Sequence, residues 1–232
     1  MTRLRFPLGV VALAALALPA AAPAATRTKD ISPYKTFKFQ YTATHPDSRT
    51  GFSYHVALDL PADGSQPPVI QELRLTFAKG TTVDLGALPA CTADDTSLAA
   101  QGPTICPTKG RIATGSAGVW TGPGPLLDLS MNVFATGARG IVATLDSGGN
   151  VLRVLRGTLS GTKLTVPVPA ITVGAGMAAL SQVDLAISGG SSKRPTFTTP
   201  KTCPKGGWPV TYAPLFASLG RRTLVDVTRC RG

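Results

Sequence analysis

Residues able to do chemistry are few in this chain. His45 and His55 are its only histidines and Glu72 its only glutamate, beside eleven aspartates and four cysteines. Acyl transfer wants a nucleophile, a histidine base and an orienting acid. His45 lies in the turn-like "THPDS". His55 lies in "YHVALDL", where alternation puts Tyr54, Val56 and Leu58 on one face and His55 with Asp59 on the other. His55 and Asp59 therefore read as a surface pair, and no G-x-S-x-G nucleophile elbow accompanies them. Glycoside hydrolysis wants two carboxylates in one cleft. Here Asp47, Asp63 and Asp146 fall in turn-like segments, which argues against it. "DSGGN" and the Asp94–Asp95 pair offer oxygen ligands for calcium, but a turn and a helix cap account for them more simply. No phosphate-cradling glycine loop leads into a helix, so no cofactor and no metal is expected, and no catalytic residue is assigned.

The cysteines are Cys91, Cys106, Cys203 and Cys230. A zinc site would want C-x-x-C knuckles or nearby histidines, and neither is present. A redox role would want an exposed, acidified thiolate, and neither Cys106 before a proline nor Cys230 near the terminus suggests one. An even count reads first as disulfides. Three pairings are open; Cys91–Cys106 with Cys203–Cys230 is favoured, because near neighbours close the cheapest loops. Closing fifteen residues is worth about 3 kcal/mol in the chain-entropy model, and the longer loop roughly 3.5 kcal/mol. Between the first pair, Thr92 reads as an N-cap answered by Asp95, and Gly102-Pro103 as the stop of a short helix.

The N-terminus explains why cysteines would be oxidised. Arg3 and Arg5 precede an apolar run from Phe6 to Leu18, and Ala22 and Ala24 form an A-x-A site. This is the pattern of a secretory signal peptide over residues 1–24. The run is short for a transmembrane helix, and no later segment reaches eighteen uninterrupted apolar residues, so no transmembrane segment is expected in the mature chain. Residues 25–33 read as a flexible leader. The protein is expected outside the cytoplasm, released or held peripherally on the cell envelope.

The formal net charge is +11, and +9 without Arg3 and Arg5. Residues 193–232 hold eight cations against Asp226 alone. Lys193, Arg194, Lys201, Lys205, Arg221 and Arg222 are the candidate binding residues of this basic lobe. Its expected partner is an anionic envelope polymer or lipid headgroup; a solvated face that keeps the protein soluble is the plainer account. Trp208, Tyr212 and Phe216 alternate within the same lobe. A stacking platform for nucleic acid would look similar, but alternating aromatics on a strand more often face a core, and nucleic acid is not expected as a partner.

Between these landmarks the chain reads as strands. Alternating or apolar stretches at 37–42, 54–60, 69–77, 81–85, 110–120, 126–135, 140–145, 150–159, 163–168, 180–188, 208–216 and 222–230 are separated by Gly- and Pro-containing breaks, with 170–178 as a Gly/Ala connector. Regular short spacing of this kind indicates an all-β sandwich or barrel. The expected fold is a two-sheet, mainly antiparallel β-sandwich over residues 34–232 with one short disulfide-stapled helix. A break near 170–179 would divide it into two subdomains.

The blocks "CTADDTSLAAQGPTICPTKGRIATGSA", "VLRGTLSGTKLTVPVP" and "TTPKTCPKGGWPVTY", in that order, resemble a family of uncharacterised secreted proteins of high-GC actinobacteria. The resemblance spans about residues 37–230. It implies export and two disulfides on a β-rich scaffold, and it brings no activity and no catalytic residues. After Trp208 the family pattern has a hairpin with an acidic turn, whereas this chain has the longer, basic "APLFASLGRR". The leading functional expectation is a non-enzymatic, envelope-associated or extracellular binding or structural protein; the alternative is an uncharacterised extracellular hydrolase.

Overall fold

A computed structural model describes residues 33–173, 176–189 and 196–232. The expected signal peptide, the leader up to residue 32, and the candidate residues Lys193 and Arg194 lie outside the described residues. The fold is all-β. Its strands are β1 (Tyr34–Tyr41), β2 (Phe52–Leu58), β3 (Ile70–Thr76), β4 (Thr82–Val83), β5 (Arg111–Trp120), β6 (Leu127–Gly137), β7 (Gly140–Ser147), β8 (Asn150–Ser160), β9 (Lys163–Pro167), β10 (Ile171–Val173), β11 (Gly176–Ile187), β12 (Phe197–Thr198), β13 (Trp208–Tyr212), β14 (Leu215–Phe216), β15 (Gly220–Arg221) and β16 (Leu224–Thr228). One short helix, α1 (Asp95–Gln101), lies between β4 and β5.

Fourteen strands form one continuous sheet, ordered β1-β2-β11-β5-β6-β7-β8-β9-β3-β13-β16 along its main path. The two layers of the sandwich are thus parts of one sheet that rolls over a shared apolar interior. β5 to β9 form a meander of hairpins, as the regular breaks predict. The Gly148–Gly149 turn of "DSGGN" has positive φ at both residues, the conformation of a tight type I′ hairpin, and Ser147 pairs with Asn150 across it. The 170–178 segment differs from the connector expected of it. Ile171 pairs with Ala178 as β10 folds against β11, because small residues in β11 still supply ladder hydrogen bonds. β11 then runs between β2 and β5.

The two end strands of the path lie side by side. β1 and β16 run in the same direction, and side chains rather than a ladder join them. The Phe39 amide donates to Asp226 Oδ2 at 2.7 Å, and the Tyr41 amide to Thr228 Oγ1 at 3.2 Å. The Arg231 amide continues the seam to the Thr44 carbonyl at 2.8 Å. These groups answer the edge donors of β1, which would otherwise stand unpaired beside a packed interior.

The interior has an aromatic and an aliphatic side. Phe39, Phe52, Phe77 and Phe197 pack with ring centroids 4.7–6.1 Å apart, and Tyr41 leans edge-on against Trp208. Tyr34, Phe37, Tyr54 and Tyr212 form a second aromatic group. β5 to β9 contribute Ala, Val, Leu, Ile and Met from the other side. Trp208, Tyr212 and Phe216 are each 1% exposed, so the alternating aromatics build core and offer no stacking platform.

Both disulfides form as favoured, Cys91–Cys106 and Cys203–Cys230, with Cα separations of 4.9 and 5.7 Å. The first holds α1 against the outer face of the meander, where Leu98 packs with Cys91, Cys106, Phe134 and Val142. The N-cap is Asp94, which accepts from the Ser97 amide at 2.7 Å, not Thr92. Asp95 is engaged instead with Arg156 Nε at 2.7 Å and so cannot answer Thr92. Gly102 closes the helix as expected, donating to the Leu98 carbonyl.

Two outcomes test this account of the fold. Asp226→Ala removes a charged acceptor from the Phe39 amide and should cost about 2 kcal/mol in urea unfolding, with Asp226→Asn costing less because it keeps an acceptor. Amide exchange at Phe39 should quicken in both. The second test is alkaline titration, since Tyr34, Tyr41, Tyr54 and Tyr212 are the only tyrosines. Burial raises the pKa of each, and that of Tyr212 is pushed up to about 12. A raised folded-state pKa favours the protonated form. The stabilisation is therefore complete below the unfolded value near 10 and is lost as pH climbs toward the folded value. Ultraviolet difference spectra should show no tyrosinate in the native state at pH 10, and tyrosinate should appear together with unfolding.

Candidate functional site

The roll has two ends, and strand alternation assigns every connection to one of them. The β1–β2, β3–β5, β6–β7, β8–β9 and β11–β13 connections and the C-terminus share one end, here called the C-terminal end. Ten exposed cations stand there: Arg49, Lys79, Lys109, Arg111, Arg139, Lys163, Lys201, Lys205, Arg229 and Arg231. Asp47, Asp84, Asp94 and Asp95 oppose them on the same connections among the described residues, and of these Asp95 is held by Arg156. At the other end Lys35, Arg74, Arg153, Arg221 and Arg222 are matched one for one by Asp59, Asp63, Glu72, Asp128 and Asp146. The net charge is thus gathered at one end.

Hydrogen bonds and a disulfide hold several of these basic loops together. The Asp47 amide donates to the Pro200 carbonyl at 3.1 Å, and the Ser48 amide to Thr199 Oγ1 at 2.9 Å. Trp208 Nε1 donates to the Thr202 carbonyl at 2.8 Å. The Cys203–Cys230 bridge ties the loop of Lys201 and Lys205 to the segment of Arg229 and Arg231. The small β4–β12 sheet floors this end, with Phe197 buried beneath it.

This changes which cations belong together. Of the four candidates that are described, Lys201 and Lys205 sit at the basic end and are exposed. Arg221 and Arg222 do not: β13 and β16 run antiparallel, Trp208 opposite Thr228 and Tyr212 opposite Leu224, so the turn between them lies at the far end. Arg221 is also committed, bonding Glu72 Oε1 at 2.7 Å and the Ala213 carbonyl at 2.7 Å. Glu72 bonds Arg74 as well, so the only glutamate is a bridge between two arginines. Arg49, Lys79, Lys109, Arg111, Arg139 and Lys163 were not legible as members, because they come from four separate connections.

A second place with chemical character is the outer face of β2 and β11. His55 Nδ1 pairs with Asp184 Oδ1 at 2.5 Å, and Gln182 Nε2 donates to Asp184 Oδ2 at 2.7 Å. The histidine's acid is therefore Asp184 and not Asp59. Residues four apart on a strand stand roughly 13 Å from each other, whereas direct cross-strand neighbours lie about 5 Å apart, and Asp184 is opposite His55 in register. Lys38, Gln40, Ser53, Thr114 and Ser116 flank the pair in a shallow open groove. The arrangement holds a base and an orienting acid. No serine or threonine hydroxyl bonds His55 among the described residues.

The third feature is internal. A cavity of about 110 Å³ lies between the aromatic and aliphatic sides, and its lining presents no polar surface. At roughly 24 cal/mol per Å³, leaving such a space empty costs about 2.6 kcal/mol relative to a filled core. Among the described residues no cluster of histidine, cysteine, aspartate or glutamate could hold a metal ion, and no helix is long and apolar enough to cross a membrane. Comparison of the chain with protein-family models, with curated proteins and with solved structures finds no match.

Proposed function

We propose that this is an exported, non-enzymatic binding protein whose basic end engages an anionic polymer or lipid headgroup of the cell envelope. The observation that carries this reading is the charge polarity of the roll, ten cations against four acids on the connections of one end and balance at the other. A concentrated field of one sign draws closely spaced negative charges and strengthens at low salt. Export is supported by the signal-like residues 1–24 and by four cysteines paired with none left free. The resemblance to secreted actinobacterial proteins points the same way. The cations stand on loops pinned by hydrogen bonds and a disulfide, so binding orders little further backbone.

Co-sedimentation of residues 25–232, oxidised, tests the reading. The probes are vesicles containing phosphatidylglycerol and, separately, purified anionic cell-wall polymer. Pelleting with one of them should fall steeply as salt rises from about 0.05 to 0.5 M, over which the Debye length shrinks several-fold. Reversing Lys201, Lys205, Arg229 and Arg231 to glutamate should abolish it, and Arg221→Gln with Arg222→Gln should leave it in place. Equal binding by the fourfold variant would overturn the assignment.

The His55–Asp184 pair favours one second reading, a hydrolase in which His55 activates water. p-Nitrophenyl esters of short acids are the probe. The binding reading expects turnover by the wild type no faster than by His55→Ala. An esterase rate lost in His55→Ala, with the fold unchanged by circular dichroism, would replace the binding reading with the enzymatic one.

A further inference from the structure

We propose that the interior cavity is a binding site for a compact, neutral, apolar molecule of about benzene size. The cause of the space is visible in the register. Ala113 pairs with Val133, and Val133 with Ala143. Three small side chains therefore lie in one row on the inner face of β5, β6 and β7. Opposite stand rigid rings, including Phe52, Tyr54 and Tyr212. Rings fixed by aromatic packing do not collapse onto alanines, so the gap stays open.

Its chemistry selects the occupant. Water needs two to four polar partners to be held in a cavity, and the lining presents no polar surface. The tyrosine hydroxyls nearby are turned to one another, Tyr34 to Tyr212 at 3.4 Å. An apolar cavity of this order, lined by aliphatic and aromatic side chains, stays dry and takes up benzene or xenon. About 110 Å³ is too little for an acyl chain, and Arg74, the charged residue of the lining, commits its guanidinium to Glu72. This site lies beneath the β4–β12 floor of the basic end, with Val83 and Phe197 in its lining, and does not depend on what that end binds.

The test uses the oxidised protein with benzene as probe and glycerol at equal concentration as control. Benzene at roughly ten times its Kd should raise Tm by about 3 °C, and glycerol at that concentration should not. In the wild type, benzene should shift the methyl resonances of Met131 and Leu155 saturably, and xenon should compete for the same shifts. Ala143→Val, alone or with Ala113→Val, fills the row with a strand-favouring side chain and should abolish both effects. Should a filled variant fail to fold, the wild-type methyl titration alone decides. Shifts that saturate with benzene and are displaced by xenon uphold the site, and methyl resonances unmoved by either ligand overturn it.

Discussion

A rolled sheet has two edges, and everything inside this protein depends on how they meet. β1 and β16 are the first and last strands described and come together after the chain has completed the roll. They run in the same direction and share no ladder. Asp226 and Thr228 turn toward β1 and take the amides of Phe39 and Tyr41. The residues whose amides are caught are themselves core, Phe39 fully buried and Tyr41 nearly so. Closing the seam and packing the aromatic side are therefore one event. A side-chain seam is weaker than a ladder, since a few bonds from two residues replace a continuous series. It is also more selective, because only a residue with an acceptor at that position can close it.

The roll makes the charge distribution a consequence of topology. In an antiparallel up-and-down path, successive connections alternate between ends, so cations in every second loop accumulate at one of them. Arg49, Lys79, Lys201 and Arg231 are distant in sequence yet lie on loops joined by short hydrogen bonds or contact. Asp47 reaches the Pro200 carbonyl, Gly80 lies against Pro200, and the Arg231 amide reaches Thr44. Arg221 and Arg222 are close to Arg229 in sequence but separated from it by the length of a strand. Arg221 has its own acidic partner at the far end, Glu72.

The interior is built from unlike halves. Aromatic side chains come mostly from β1, β2, β13 and the segment after β3, and aliphatic ones from the meander. Rings pack edge-on and tilted in a few favoured geometries, and a row of alanine and valine cannot match every contour they leave. The resulting space lowers stability by an amount two disulfides of ordinary strength comfortably exceed. The first disulfide acts elsewhere. It clamps a seven-residue helix, too short to be stable alone, over Phe134 and Val142, and so covers these two apolar side chains.

The sequence by itself determined what is local. Alternation and glycine-rich breaks located most strands to within a few residues, because a strand's two faces and a hairpin's turn are written in consecutive positions. The pairing of near-neighbour cysteines followed from loop length, and the stop of α1 from Gly102-Pro103. Proline at 214 split the strand expected at 208–216 into β13 and β14, a local effect the alternation of aromatics hid. What the tertiary structure decided are relations between distant segments. Asp184 as the partner of His55, the two edges joined by Asp226, the basic end drawn from separate loops and the void over Ala113 and Ala143 all require knowing which strand lies beside which. Hydrogen-bonded pairing in a sheet is equally available to every strand's backbone. Side-chain alternation states which face is buried and leaves the neighbour unspecified, so the order of strands, and every site that depends on it, emerges only when the whole sheet has closed.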